Sequence, residues 1–484
     1  MEILIPNPNT MKPQARETLI LILLFFAVLI SRIPFIEYGY GIDPDSWRVA
    51  SVANAIHTTK QYVASRLPGY PVQEITYALL PIKNATVYNF LTAFLSSLCV
   101  LYFAKFIKQL GFKHYLYPSI ALAFVPIVYI NSTNSMDYIW ALCFIFISFY
   151  SAITQKYFLS GIFLGIATGC RITSAGMLLP LIFLIQYINT NKAYKDYAKL
   201  LFGYTITFLI IFLPVVMTYG LSFFSYYDGS ISPLYIVKNF TIDIWGILGF
   251  LSTVFYSILL IFRLFDIQKF KEFINDRVNQ LSLIVIVLYV IAFALAPYEA
   301  GYLIPLVPFI IILLTHNLSI KQSISFSSTI ALSSFALGIN TSDMPWSVKA
   351  LTPSHTITIA QRPIDINLIH GPIIKDRLQR IARDEYVKKV IDFISKVENN
   401  SVLVCGIWFT QLAVELHKPI NDNIEEFNYF EQKNVVVRDV MDNESTSNYR
   451  KQNFPIYYLT GQDKNNFSLY KFSLKDFGAN EVVF

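Results

Sequence analysis

Charge is scarce in this chain. Only 14% of its 484 residues are Asp, Glu, Lys or Arg, against about 25% in a soluble domain. Hydrophobic residues make up 54%. So little charge cannot keep that much apolar surface in water, so lipid must be the solvent for much of the chain. Cysteine is scarce too. The four are Cys99, Cys143, Cys170 and Cys405. Three lie in apolar segments and none pairs at metal-ligand spacing, so neither a disulfide framework nor a zinc site is implied. The six histidines are scattered, without an HExxH pattern. There is no GxGxxG, no P-loop, no internal repeat and no low-complexity linker. The net charge of +6 comes without a clustered basic face, which argues against nucleic acid as a partner.

What the chain has is long apolar runs and aromatic residues, 16% of the total. A membrane span needs about 20 apolar residues to cross roughly 30 Å of hydrocarbon. On that measure spans fall at 17–36, 87–106, 115–131, 138–154, 200–219, 242–262, 281–297 and 302–316. The stretch 157–188 is too long for one span and breaks at Gly169–Ser174, which predicts two short helices meeting at Arg171. A weaker span, rich in Ser and Thr, is expected at 323–339. The total is about eleven. The first run has no small-residue cleavage site and is read as a retained span rather than a signal peptide.

Lys and Arg in short loops set orientation. Lys105, Lys108 and Lys113, then Lys192, Lys195 and Lys199, then Arg263, Lys269, Lys271 and Arg277 mark one set of loops as cytoplasmic, together with the N-terminus. An odd number of spans then places the tail outside; without the weak last span it would be cytoplasmic. The expected architecture is mainly α. Residues 1–339 form a polytopic transmembrane helical bundle, and residues 340–484 form a small soluble α/β domain. A helix is predicted over 374–397, and short strands at Val402–Cys405, Val435–Val437 and Ile456–Leu459.

The first outer loop, residues 37–86, holds the residues that look like chemistry. Asp43 and Asp45 lie just beyond the first span, and Arg48 follows. An amphipathic helix is expected over 46–58, with Trp47, Val49, Val52, Ala53 and Ile56 facing the membrane. Ser65-Arg66-Leu67-Pro68-Gly69-Tyr70-Pro71 is a rigid turn that presents an arginine. A carboxylate can take a proton from an attacking hydroxyl or amine, and Arg forks match phosphate oxygens. Each residue also has a plainer account. An Asp before a helix is a common N-cap, and an Arg at the interface can snorkel to lipid head groups. Asp137, Arg171 and Glu299 fall at outer helix ends on the same side, where ionisable groups usually face a cavity or a partner.

At these residues the chain resembles the GT-C class of integral membrane glycosyltransferases, most nearly the protein O-mannosyltransferases and the lipid A aminoarabinose transferases. The resemblance covers residues 17–320. It rests on Asp45-Ser46-Trp47-Arg48-Val49-Ala50, on Arg66-Leu67-Pro68, on Gly161–Ala167 leading to Arg171 and Leu178-Leu179-Pro180, and on Pro297-Tyr298-Glu299-Ala300-Gly301-Tyr302 running on to Pro308. Ser46 and Val49 depart from the family pattern, where a second acid and an aromatic stand, so either Asp43 or Asp45 can be the acid that matters. The resemblance implies a polyprenyl-phosphate-linked sugar donor drawn from membrane lipid, and inverting transfer to an acceptor at the outer face. In that picture Asp45 (or Asp43) is the general base, Arg66 with Arg48 and Arg171 hold the donor phosphate, and Asp137, Glu299 and Tyr302 are further site residues. Some members of the class use a divalent cation and others do not. The sugar and the acceptor are not legible. The main alternative is a transporter or flippase of lipid-linked glycans, which would place its charges at the membrane midplane and show mirrored broken spans.

Overall fold

The computed structural model describes residues 11–189, 193–220, 233–340, 354–359, 362–418, 428–462 and 473–484, so Lys192 lies outside the described residues. Helix α1 (Met11–Arg32) leads into two loop helices, α2 (Pro44–Thr59) and α3 (Pro71–Leu79). Then come α4 (Ala85–Gln109), α5 (Leu116–Phe124), α6 (Pro126–Asn131), α7 (Tyr138–Ile153), α8 (Tyr157–Cys170), α9 (Leu178–Ile188) and α10 (Ala193–Tyr219). The bundle finishes with α11 (Pro233–Phe240), α12 (Ile242–Leu264), α13 (Ile267–Asn275), α14 (Arg277–Leu295), α15 (Val307–Asn317) and α16 (Ile320–Phe335).

Among the described residues, six helical stretches are long and apolar enough to cross a membrane: Ala15–Phe35, Ala85–Gln109, Ala193–Tyr219, Ile242–Leu264, Arg277–Leu295 and Ala300–Asn317. The other expected segments are helical but shorter or broken. Proline at position 126 cannot donate to the preceding turn, so 115–131 divides into α5 and α6 at Val125. The expected break at Arg171 is present: α8 stops at Cys170 and Arg171 is extended, with φ −158° and ψ 116°. Helices α8 and α10 approach backbone to backbone. A Cβ on Gly161 would lie 2.1 Å from the carbonyl oxygen of Leu200, and one on Gly203 would lie 2.4 Å from that of Phe158. Small residues permit such contact where lipid supplies no hydrophobic drive between helices.

The helix ends sort by chemistry. Glu17 pairs with Lys108, Arg263 donates to the carbonyl of Asn317 at 2.8 Å, and His316 meets Asp276 at 3.2 Å. These groups occupy one end of the bundle. The first loop, Asp137 and Arg171 occupy the other. Helix α16 returns the chain to that second end, where Gly371 N donates to the carbonyl of Phe335 at 2.9 Å.

The tail begins with β1 (Gly338–Asn340), β2 (Ser354–Ile359) and β3 (Arg362–Asn367), an antiparallel sheet in the order β1-β3-β2. After α17 (Pro372–Lys396) come β4 (Ser401–Val404), α18 (Phe409–Glu415), β5 (Tyr429–Gln432), β6 (Val435–Arg438), α19 (Asn443–Lys451), β7 (Ile456–Leu459) and β8 (Asn480–Val482). The second sheet runs β5-β6-β4-β7-β8, with β4 parallel to both β6 and β7. The buried run of β4, apolar after Ser401, suits a parallel strand covered on both faces. Its core gathers Leu403, Trp408, Leu412 and Val437 under Val387 and Val390 of α17. The predicted helix and strands are therefore found where the sequence placed them.

Candidate active site

Asp43 starts α2. Its side chain accepts from the Asp45 amide at 2.8 Å, and Pro44 occupies the first helical position, where a missing N–H costs nothing. This is the N-cap role that the sequence allowed. The cap places Asp45 in the first turn, with Arg48 one turn on and 3.8 Å away. The expectation that α2 faces the membrane is overturned. Trp47, Val49, Val52 and Ala53 are buried in protein, and Ile56 packs against the same core. The Trp47 indole donates to the carbonyl of Gly41 at 2.9 Å. The apolar stripe exists because this helix packs between the bundle and the tail, which also has an apolar surface to cover.

Arg66 connects the cluster. Its Nε lies 3.1 Å from Asp45 Oδ2, and its Nη2 lies 2.8 Å from Asp137 Oδ1. The other Asp137 oxygen takes Arg171 Nη1 at 2.6 Å. Asp137 is 1% exposed, so its charge is compensated by two guanidinium forks rather than by water. Isolated burial of such a charge would cost several kcal/mol. Aromatic faces complete the cations' surroundings. Arg66 lies over the Tyr70 ring at 4.0 Å, and Arg171 lies over Tyr138 at 4.0 Å and Tyr302 at 4.8 Å. The Tyr138 hydroxyl donates to Glu299. That approach needs a glycine at 301, where a Cβ would fall 2.4 Å from Tyr138 Cζ.

The fold thus brings together Asp43, Asp45, Arg66, Asp137, Arg171, Glu299 and Tyr302, while Arg48 stands at the edge beside Asp45. Burial pushes the Asp43 carboxyl up to about 7, Asp45 and Glu299 add to the rise, and Arg66 opposes it. Among the described residues, buried donors are left over here: Arg66 Nη1 in the cluster and Arg48 Nε at its edge have no protein hydrogen-bond partner. An orphaned buried donor costs about 1–3 kcal/mol, unless an anionic oxygen meets it. Among the described residues, no three His, Cys, Asp or Glu side chains converge as a metal site.

Several residues in and around the cluster were not singled out from the sequence. Glu74 is the lone acid in α3, and Tyr70 and Tyr138 adjoin residues that were. From the tail, Arg380 Nη1 donates to the carbonyl of Thr133 at 2.7 Å and Nη2 to its hydroxyl at 3.2 Å, while Asp376 pairs with Arg380 at 2.7 Å. Arg383 is 5% exposed and stacks on Trp408 at 4.7 Å, and the Asp43 carboxylate favours its charged form. A buried ionisable residue is the usual mark of such a group, but α17 is charged along its whole length, so no single Arg stands out.

No protein-family model and no curated protein matches this chain. Solved structures do. ArnT from Cupriavidus metallidurans in the apo state, an aminoarabinose transferase of the GT-C class, superposes with a TM-score of 0.51 at 12% identity, over 84% of this chain and 86% of that one. The same enzyme bound to undecaprenyl phosphate superposes with a TM-score of 0.48 at 11% identity, over 83% and 85%. At this identity the likeness is one of fold alone: over most of its length the chain has an ArnT-like fold.

Proposed function

We propose that the chain is a membrane glycosyltransferase that moves a sugar from a polyprenyl-phosphate carrier to an acceptor at the outer membrane face. The observation that carries this reading is the free Nη1 of Arg66, buried beside Asp45 and 2.8 Å from Asp137 through its sister nitrogen. A phosphate oxygen is the partner that such a fork fits best. The carrier's phosphate rests on Arg66 and Arg171, which Asp137 holds side by side. Asp45 accepts the proton from the acceptor hydroxyl or amine. The acceptor atom bonds to the anomeric carbon from the opposite face, the bond from that carbon to the phosphate oxygen breaks, and the electron pair leaves with the polyprenyl phosphate. The configuration at the sugar carbon inverts. Arg48 balances Asp45 from outside, and Arg383 and its neighbours on α17 roof the side from which an acceptor arrives.

Support against a transporter comes from position. The charges gather where α2 and α7 begin and α8 ends, at one end of the bundle rather than at mid-depth. The test is transfer from labelled polyprenyl-phosphate sugars in membranes containing the protein. Asp45→Asn should lower the rate about a hundredfold or more, and Asp43→Asn, which keeps the cap, should act more mildly. Full activity in both variants would refute the assigned roles.

A further inference from the structure

We infer that Glu74 is a positioning residue that sets Arg66 for the carrier phosphate, an inference that rests on the donor site just proposed. Glu74 has no exposed surface, and its carboxylate touches no part of the charged cluster. Four hydrogen bonds satisfy it instead. Oε1 accepts from the Ser65 amide at 2.7 Å and the Ser65 hydroxyl at 2.6 Å. Oε2 accepts from the Tyr62 hydroxyl at 2.6 Å and the Tyr70 amide at 3.1 Å.

These donors bracket Arg66. Ser65 precedes it directly. Tyr70 supplies the ring beneath its guanidinium at 4.0 Å. Between them the chain closes a turn, with Gly69 N donating to the Arg66 carbonyl at 2.8 Å. One buried carboxylate therefore fixes both ends of the turn that presents the arginine, and it also holds the aromatic face on which the arginine rests. A buried carboxylate is costly to keep when a neutral residue could fill the space. Four converging donors, two of them backbone amides, explain its presence. A glutamine cannot replace it. Its amide nitrogen would face either the Ser65 or the Tyr70 backbone N–H, and neither can reverse its polarity.

The prediction concerns coupling rather than stability alone. Full-length protein in detergent micelles is titrated with a long-chain polyprenyl phosphate, using the matching polyprenol as the control for the lipid tail. Glu74→Gln should weaken phosphate-dependent binding about tenfold or more. Because Glu74 acts through Arg66, the double variant Glu74→Gln/Arg66→Ala should bind no more weakly than Arg66→Ala alone. Losses that add in the double variant would overturn the inference, as would unchanged binding by Glu74→Gln. Arg66→Ala that binds as tightly as the parent would instead overturn the donor site itself. If Glu74→Gln yields no folded protein, Ser65→Ala carries the same cycle. It removes one side-chain donor and leaves both amides paired, so it should give a smaller loss that likewise vanishes without Arg66.

Discussion

Asp43 and Asp45 stand two positions apart and meet opposite surroundings. Asp45 shares its oxygens with Arg66 and Arg48. Asp43 caps a helix in a half-buried position, where desolvation and then the charges of Asp45 and Glu299 push it up to about 7. A free aspartate titrates near 3.9 (about). The folded chain therefore holds a proton that the unfolded chain has already lost between these values. Stability contributed at this site falls as pH rises through that window, and levels off above about 7. Asp43→Asn removes the titration and keeps a good capping residue. Its thermal midpoint in detergent should exceed the parent's at pH 8, the gain should be about a third as large at pH 5, and it should vanish below about pH 4. A gain independent of pH would show that Asp43 stays ionised throughout. Asp45, Arg66 and the Pro68 turn were legible in the sequence because they form one local motif. Asp137, Arg171 and Glu299 were legible one by one, as charges at helix ends. That Asp137 joins two arginines was not, because the contacts bridge 71 and 34 positions. Glu74 was not, because a single acid on a short amphipathic helix looks like a solvated one.

At the scale of elements, the break at Arg171 depends on how α8 is seated. Gly161, Gly165 and Gly169 recur every fourth residue and face α10 or its side chains, with a Cβ on Gly165 reaching within 2.7 Å of Thr207. Spacing of this kind is readable, yet its partner helix is not. Gly161→Val forces atoms into the Leu200 carbonyl and should destabilise the bundle by about 2 kcal/mol or more. Because α8 delivers Arg171, phosphate binding should weaken in parallel. A variant as stable as the parent in a detergent melt would mean that α8 and α10 pack less closely than described. Helix α2 shows the converse limit. Its apolar stripe was evident, but the choice between lipid and protein as its cover belongs to residues of α17 and α18 hundreds of positions away.

For the whole molecule, the bundle and the tail meet over the charged cluster. Arg380 reaches from α17 to Thr133, four residues before Asp137, and its second contact is the carbonyl of Phe35 at 3.4 Å. The tail is thus tied to both segments that carry the acids. The mainly helical character of the bundle and the α/β character of the tail followed from composition and periodicity, since both are local properties. The number of spans did not, since six stretches among the described residues are long and apolar enough where about eleven were expected. The docking of one on the other did not, since it depends on a few buried contacts. The central claim is that this junction transfers a sugar from a polyprenyl-phosphate carrier, and mass spectrometry of envelope glycans and glycoproteins tests it most directly. Cells lacking the protein should lose one sugar from a defined acceptor, and the parent chain should restore it while Arg66→Ala and Asp45→Asn do not. An unchanged glycan profile in cells lacking the protein, or full restoration by both variants, would contradict the account.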